Sequence, residues 1–248
     1  MRRTVISNEF AKMRHLHSWL LAALLLVVVT AVTVLGGVGN PYFDRATADS
    51  WNSLLSTFGG AVPLAAPLLL AIMASRQVDV EHVGGGWLLS ATSGVTPGSL
   101  CRAKFLALAA LVTGATVGSS ALVTGTGLLL GVTAPWPAGR WLACTAAVLV
   151  VNLVLVALHV MVSARVENQL VGLGVGLLGT ILALVASSLP GWLAHLVPWG
   201  YYGVAAGAEY VGSELVAATP SLLSIAGLAV VTGLAFGILT HRFDRQEA

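Results

Sequence analysis

The sequence predicts an all-α membrane protein: six transmembrane helices, preceded by an N-terminal amphipathic interfacial helix, with both chain ends on one side of the bilayer. Three observations carry this prediction. The 248 residues are 57% hydrophobic and only 9% charged, with a mean hydropathy of +0.90, whereas a soluble domain carries about 25% charged residues. Apolar runs near twenty residues long recur along the chain. A helix rising about 1.5 Å per residue needs that length to cross a hydrocarbon core of about 30 Å. Lys and Arg fall almost entirely in alternate connections, which fixes orientation.

The first run, residues 18–38, follows Arg2 and Arg3 and so invites comparison with a secretory signal. It is longer than the apolar stretch of about 7–15 residues in such signals, and no small-residue cleavage pattern follows it. It reads as a retained first span. The other five runs cover residues 53–74, 105–131, 141–163, 169–189 and 221–240. Pro63 and Pro67 predict a kink in the second. With the N-terminus in the cytoplasm, one face holds Arg2, Arg3, Lys12, Arg14, Arg76, Arg102, Lys104, Arg165, Arg242 and Arg245, and the other only Arg45 and Arg140. Ten basic residues against two put both termini inside.

Ahead of the first span, Ile6, Phe10, Met13 and His17 recur at helical spacing, while Arg3, Glu9, Lys12 and Arg14 take other faces. Residues 1–17 therefore read as an amphipathic helix lying in the cytoplasmic interface. On the external side, residues 190–220 carry Trp192, Trp199, Tyr201, Tyr202, Glu209, Tyr210 and Glu214 but no Lys or Arg. Such a segment is too apolar for a free loop. It predicts short helices dipping into the interface, either as an aromatic anchor or as a gate. No stretch is long enough for a separate solvated core, so residues 1–248 form a single transmembrane domain.

Several chemistries are excluded or weakened. Gly-x-x-x-x-Gly-Lys-Ser/Thr is absent, so the chain does not hydrolyse ATP by that route. His-Glu-x-x-His and Gly-x-Ser-x-Gly are also missing, and no catalytic residue is assigned. Cys101 and Cys144 are too few for a disulfide framework or a metal site, no cofactor is expected in this chain, and a net charge of +2 without a basic patch argues against nucleic acid. Within the spans, ionisable or strongly polar residues are rare and so informative. Asn152 and His159 share a face of the fourth span, and Thr116, Ser119 and Ser120 enrich the third. These five either line a translocation path or pack helices together. The pairs Gly114/Gly118, Gly127/Gly131, Gly172/Gly176 and Gly233/Gly237 likewise suit close helix approach, within one chain or between two.

The longest polar interruption is the segment 75–104, between the second and third spans. It opens with Arg76, Asp79, Glu81 and His82, continues through Gly84, Gly85, Gly86 and Trp87, and ends with Arg102 and Lys104. A plain hairpin between spans needs only a few turn residues, so thirty residues of patterned polarity suggest a surface touched by another molecule. Lys12, Arg14, Arg102 and Lys104 also suit anchoring at lipid headgroups.

This segment resembles the first cytoplasmic loop of ABC-2 type transporter permeases, particularly the small six-span permeases of bacteriocin (lantibiotic) immunity and antibiotic export. Glu81-His82 is followed by Trp87 six residues after the Glu, by Gly94-Val95-Thr96 seven residues later, and by Lys104-Phe105 ten beyond. Gly94 stands where that family has Pro, and Pro97 where a basic residue is common. Ser7-Asn8-Glu9-Phe10 and Lys12, ahead of the first span, agree with the resemblance, as do the six spans of an ABC-2 (type V exporter-like) fold. The resemblance implies a permease subunit in the cell membrane that moves a hydrophobic or peptide, bacteriocin- or antibiotic-like substrate outward. It implies a second permease copy or paralogue and separate ABC ATPase subunits that carry ATP and Mg. Residues 75–104 would hold the cytoplasmic coupling helix, with Arg76, Asp79, Glu81, His82 and Trp87 at the ATPase. A different class of reading is a non-transporting scaffold or sensor that holds a cytoplasmic partner through the same segment. An intramembrane enzyme is disfavoured by the missing catalytic constellation.

Overall fold

The computed structural model describes residues 2–246, and their side chains from 5 to 245. The side chains of Arg2 and Arg3, part of the predicted cytoplasmic charge, lie outside the described residues. Helices run α1 Arg2–His15, α2 Ser18–Val38, α3 Asp49–Val83, α4 Gly86–Thr92, α5 Pro97–Leu129, α6 Ala138–Arg165 and α7 Gln169–Leu184. After a 3-10 turn come two short helices, α8 Gly191–Ala194 and α9 Tyr201–Val204, then strands β1 Ala208–Val211 and β2 Glu214–Ala217, and finally α10 Leu222–Gln246. Five of these, α2, α3, α5, α6 and α10, are long and apolar enough to cross a membrane. α7, also apolar, has 16 residues, about 24 Å at the usual helical rise, short of a hydrocarbon core of about 30 Å.

α3 is the central helix, packed by α2, α6 and α7, while α10 lies against α5 and α6. The core is built where small and large side chains alternate. Trp51 and Trp141 meet edge to face with centroids 5.7 Å apart, a favoured aromatic geometry. Each buried indole finds an acceptor: Trp51 Nε1 donates to the Ala134 carbonyl at 3.0 Å, and Trp141 Nε1 to Ser120 Oγ at 2.9 Å. Gly127 leaves room for the Trp51 ring, and a Cβ there would lie 2.8 Å from it. Gly172 and Gly176 bring α7 onto Ser75, Ala71 and the Pro67 backbone of α3, so this pair packs within one chain. Gly233 and Gly237 face open space. Pro63 and Pro67 lie inside α3, which continues through both.

The structure refines three expectations about local structure. Residues 75–104 do not form a polar loop: α3 runs on to Val83, α5 begins at Pro97, and only the α4 helix-turn lies between them. α1 meets the bundle through only part of the Ile6, Phe10, Met13 and His17 stripe. Glu9 and Met13 are buried, whereas Phe10 and His17 are exposed and His17 adopts a left-handed φ of 54° that turns the chain into α2. Finally, residues 190–220 contain an antiparallel hairpin as well as short helices, with Glu209 opposite Val216 and Gly212 at its turn in the left-handed region, φ 65°. A Gly-Ser pair at a tight turn favours this closure. Asn40 donates to the Tyr210 hydroxyl, and the Tyr42 hydroxyl donates to the Ser213 carbonyl, fastening the hairpin to the α2–α3 connection.

Candidate functional site

α1, α4, the end of α3, the start of α5 and the end of α10 meet at one end of the bundle. Their meeting point is a closed set of charges. Lys104, about two turns into α5, is 0% exposed. Its ammonium donates to Glu81 Oε1 at 2.6 Å, the Gln77 carbonyl at 2.8 Å and Glu9 Oε2 at 2.9 Å, which uses all three of its protons. Lys12 reaches the same carboxylates from the rim, 2.6 Å from Glu81 Oε1 and 2.8 Å from Glu9 Oε1. Gln77 Nε2 donates to Glu9 Oε2 at 2.9 Å. Two cations and two carboxylates balance, and burying them is tolerable only because each is hydrogen-bonded. The half-buried Lys12 feels burial first, which lowers its pKa, but bonds to and charges on Glu81 and Glu9 outweigh this and hold it above the usual lysine value.

This cluster corrects two sequence-based expectations. Lys104 is no headgroup anchor, because a partner 95 residues earlier in the chain turns it inward. Glu81, expected on a docking surface, is buried beneath α4. A Cβ on Gly86 would overlap Glu81 Oε2, so only glycine lets the start of α4 lie on that carboxylate.

α4 is held from several further sides. Gly85 enters it with a left-handed φ of 61°, a conformation that glycine adopts without steric cost. Trp87 Nε1 donates to His82 Nδ1 at 3.3 Å. An indole can only donate, so His82 carries its proton on Nε2 and gives it to the Ser163 carbonyl at 2.9 Å on α6. The Trp87 ring also meets Phe243 of α10 with centroids 5.8 Å apart. α4 ends with Gly94 at φ 71°, where the amides of Gly94 and Val95 return to the carbonyls of Ala91 and Ser90, a glycine-closed helix terminus.

α5 then begins with Thr96 and Pro97. Its first turn is capped by a side chain from α10: the Asp244 carboxylate accepts from the Ser99 amide at 3.2 Å and from Arg102 Nη2 at 3.0 Å. Arg102 Nη1 also donates to Thr240 Oγ1 at 3.0 Å. An anion at a helix N-terminus is favoured by the free amides and the helix dipole.

Around α4 this end exposes apolar side chains with charged ones beside them. Val83, Leu88 and Leu89 are 81%, 71% and 65% exposed around α4, with Arg76 exposed, Asp79 half-buried and Arg14 exposed nearby. The polar residues singled out inside the spans are elsewhere, sealed between helices. Tyr202 donates to Asn152 Oδ1 at 2.6 Å and Asn152 Nδ2 donates to Thr116 Oγ1 at 3.0 Å. Ser119 bonds the Thr116 carbonyl, and Ser120 bonds Thr145. His159 is fully buried with no partner for either ring nitrogen. Sequence reasoning missed Gln77, Gly86, Thr240 and Asp244 as parts of this site. A charged residue at a span end opposite another span end was the signal that could have found Asp244.

Among known proteins, the family model described as "ABC-2 family transporter protein" matches residues 5–183, from α1 to the end of α7. No curated protein matches the chain.

Proposed function

This chain belongs to the ABC-2 family of transporter proteins, and from that premise we propose that α4 and its surroundings are the seat of an ABC ATPase, through which ATP-driven motion reaches the membrane helices. The observation that carries this reading is the pairing of an exposed apolar surface, Leu88 and Leu89 of α4 beside Val83 at the end of α3, with a buried ionic cluster directly behind it. Exposed apolar side chains rimmed by charge mark protein contact surfaces. In this reading Arg76 and Asp79 supply the charged rim, whereas Glu81, His82 and Trp87 fix α4 in place from behind.

The proposed topology has six spans, with α7 and the turns after it as the fifth, and both termini in the cytoplasm beside the ATPase. Two permease subunits, identical or paralogous, face each other. Closure of the ATPases pushes on α4, and α1, α3, α5 and α10 follow because each is bonded to the same end. This shifts the balance between inward- and outward-facing states. The proposed cargo is a hydrophobic or peptide substrate of the bacteriocin or antibiotic type, carried outward.

The test is co-expression with its ABC ATPase and reconstitution of the purified complex. Leu88→Glu/Leu89→Glu should abolish ATPase co-purification and stimulation of ATP turnover while the chain still inserts in the membrane. Unchanged co-purification and turnover in that variant would place the ATPase contact elsewhere.

A further inference from the structure

At the end of the bundle opposite α4, a cavity of about 500 Å³ lies between α3, the end of α7 and the segment that carries α8, α9 and β1. We propose that it binds a hydrophobic cation, a positively charged group carried on an apolar body. This deepens the export reading, on which the role of the ligand as cargo rests, by naming its charge class.

The volume falls within the range of about 300–1,000 Å³ usual for small-molecule sites. Its chemistry selects a cation. Glu209 is the one carboxylate lining it, no Lys, Arg or His does, and the ion pairs of the described residues leave Glu209 out. An anion would meet that carboxylate with no counter-charge to offset it.

The α3 wall adds acceptors. Gly59 and Pro63 both line the cavity, and Pro63 has no N–H to donate to the Gly59 carbonyl one turn earlier. A Cβ added at Gly59 or Gly60 would meet nothing within 4 Å, so a ligand meets bare helix backbone there. Ser56 and Ser187 contribute hydroxyls. Tyr202 and Tyr210 complete the lining, with hydroxyls already bonded to Asn152 and Asn40. Their rings remain for apolar and cation–π contact.

The experiment uses the full chain in phosphatidylcholine nanodiscs and two probes of one shape and opposite charge, tetraphenylphosphonium and tetraphenylborate. Binding is measured by equilibrium dialysis against empty nanodiscs. Saturable binding of the phosphonium but not of the borate is expected. Glu209→Gln should weaken it at least tenfold, and Gly60→Phe, which fills open space, should remove it. Glu214→Gln, on the neighbouring strand and outside the lining, should leave it unchanged. The proposal is overturned by absent saturable phosphonium binding, by equal binding of both probes, or by wild-type binding in Glu209→Gln and Gly60→Phe. The binding assay contains no ATPase, so its result and the coupling test at α4 succeed or fail independently.

Discussion

Lys104 and Lys12 donate to the same oxygen, Glu81 Oε1, at the same 2.6 Å, and comparing their replacements separates geometry from burial. Lys104→Met removes a cation that has no exposed surface and leaves the buried Glu9 and Glu81 with Lys12, at the rim, as their one remaining cation among the described residues. Removing one partner of a buried ion pair costs about 3–5 kcal/mol. Lys12 is 36% exposed in its side chain, and it borders a groove of about 440 Å³ that also touches Glu9 and Glu81. Water entering there takes over its hydrogen bonds, so Lys12→Met should cost about 1 kcal/mol, the range of solvent-exposed pairs. At about 2–4 °C per kcal/mol for a chain of this size, Lys104→Met should lower the melting temperature by roughly 6–20 °C and Lys12→Met by only a few degrees. Thermal unfolding of the purified variants in one detergent reads both. Adding Glu81→Gln to Lys104→Met should recover part of the loss, because it removes the stranded charge. Equal losses for the two lysines, or a double variant less stable than Lys104→Met, would refute the burial argument.

Gly86→Ala places a methyl group on Glu81 Oε2 and should cost about 1–3 kcal/mol through overpacking. Its signature is faster proteolysis at α4 and lost ATPase stimulation with membrane insertion intact. Asp244→Asn removes the charge that caps α5 and pairs with Arg102. It should cost about 1 kcal/mol and loosen the C-terminal end of α10 in hydrogen exchange while leaving the α1 cluster protected. The raised pKa of Lys12 sets a pH window. The stability it lends is fully present below the ordinary lysine value of 10.5 and is lost as pH rises through the higher folded value. Protease accessibility of α1 should therefore stay flat from about pH 6 to 9 and rise only above about pH 10.5; a rise within that neutral range would exclude Lys12 as its cause.

Five of the six predicted spans match helices long and apolar enough to cross a membrane, because hydropathy follows the apolar length a span needs, and residues 18–38 coincide with α2. Helix beyond the membrane was not legible, because the hydropathy signal ends where charge begins. Residues 76–83 look like loop in composition, yet they stay helical because Gln77 and Glu81 turn inward to α1 and α5. Lys104 departs from expectation for a related reason. A lysine at a span end ordinarily snorkels to the headgroups, and only the fold brings Glu9 close enough to reverse this. Glu9 itself carried a local signal, sitting three residues before Lys12 on one helix, but that spacing suits a surface pair equally well. The hairpin was readable in principle from Gly212-Ser213 between short β-compatible runs; the aromatic content of the segment points to interfacial helices instead.

A buried ionic network is weak evidence for stability, since well-packed apolar side chains often do as well. What the cluster adds here is register. An apolar contact between α1 and α3 would tolerate sliding by a fraction of a turn, whereas Lys104 must meet Glu9, Glu81 and the Gln77 carbonyl together to satisfy its three protons. Gly86 then seats α4 on the same Glu81, and Trp87 links it to α6 through His82 and to α10 through Phe243. α4 is only seven residues long, too short to hold its own orientation as an isolated helix. Its direction is therefore set by bonds to the helices around it. On the proposed reading, a load applied at Leu88 and Leu89 would be carried into α1, α3, α5, α6 and α10 at once, which is the property a contact surface needs if movement there is to change packing across the membrane.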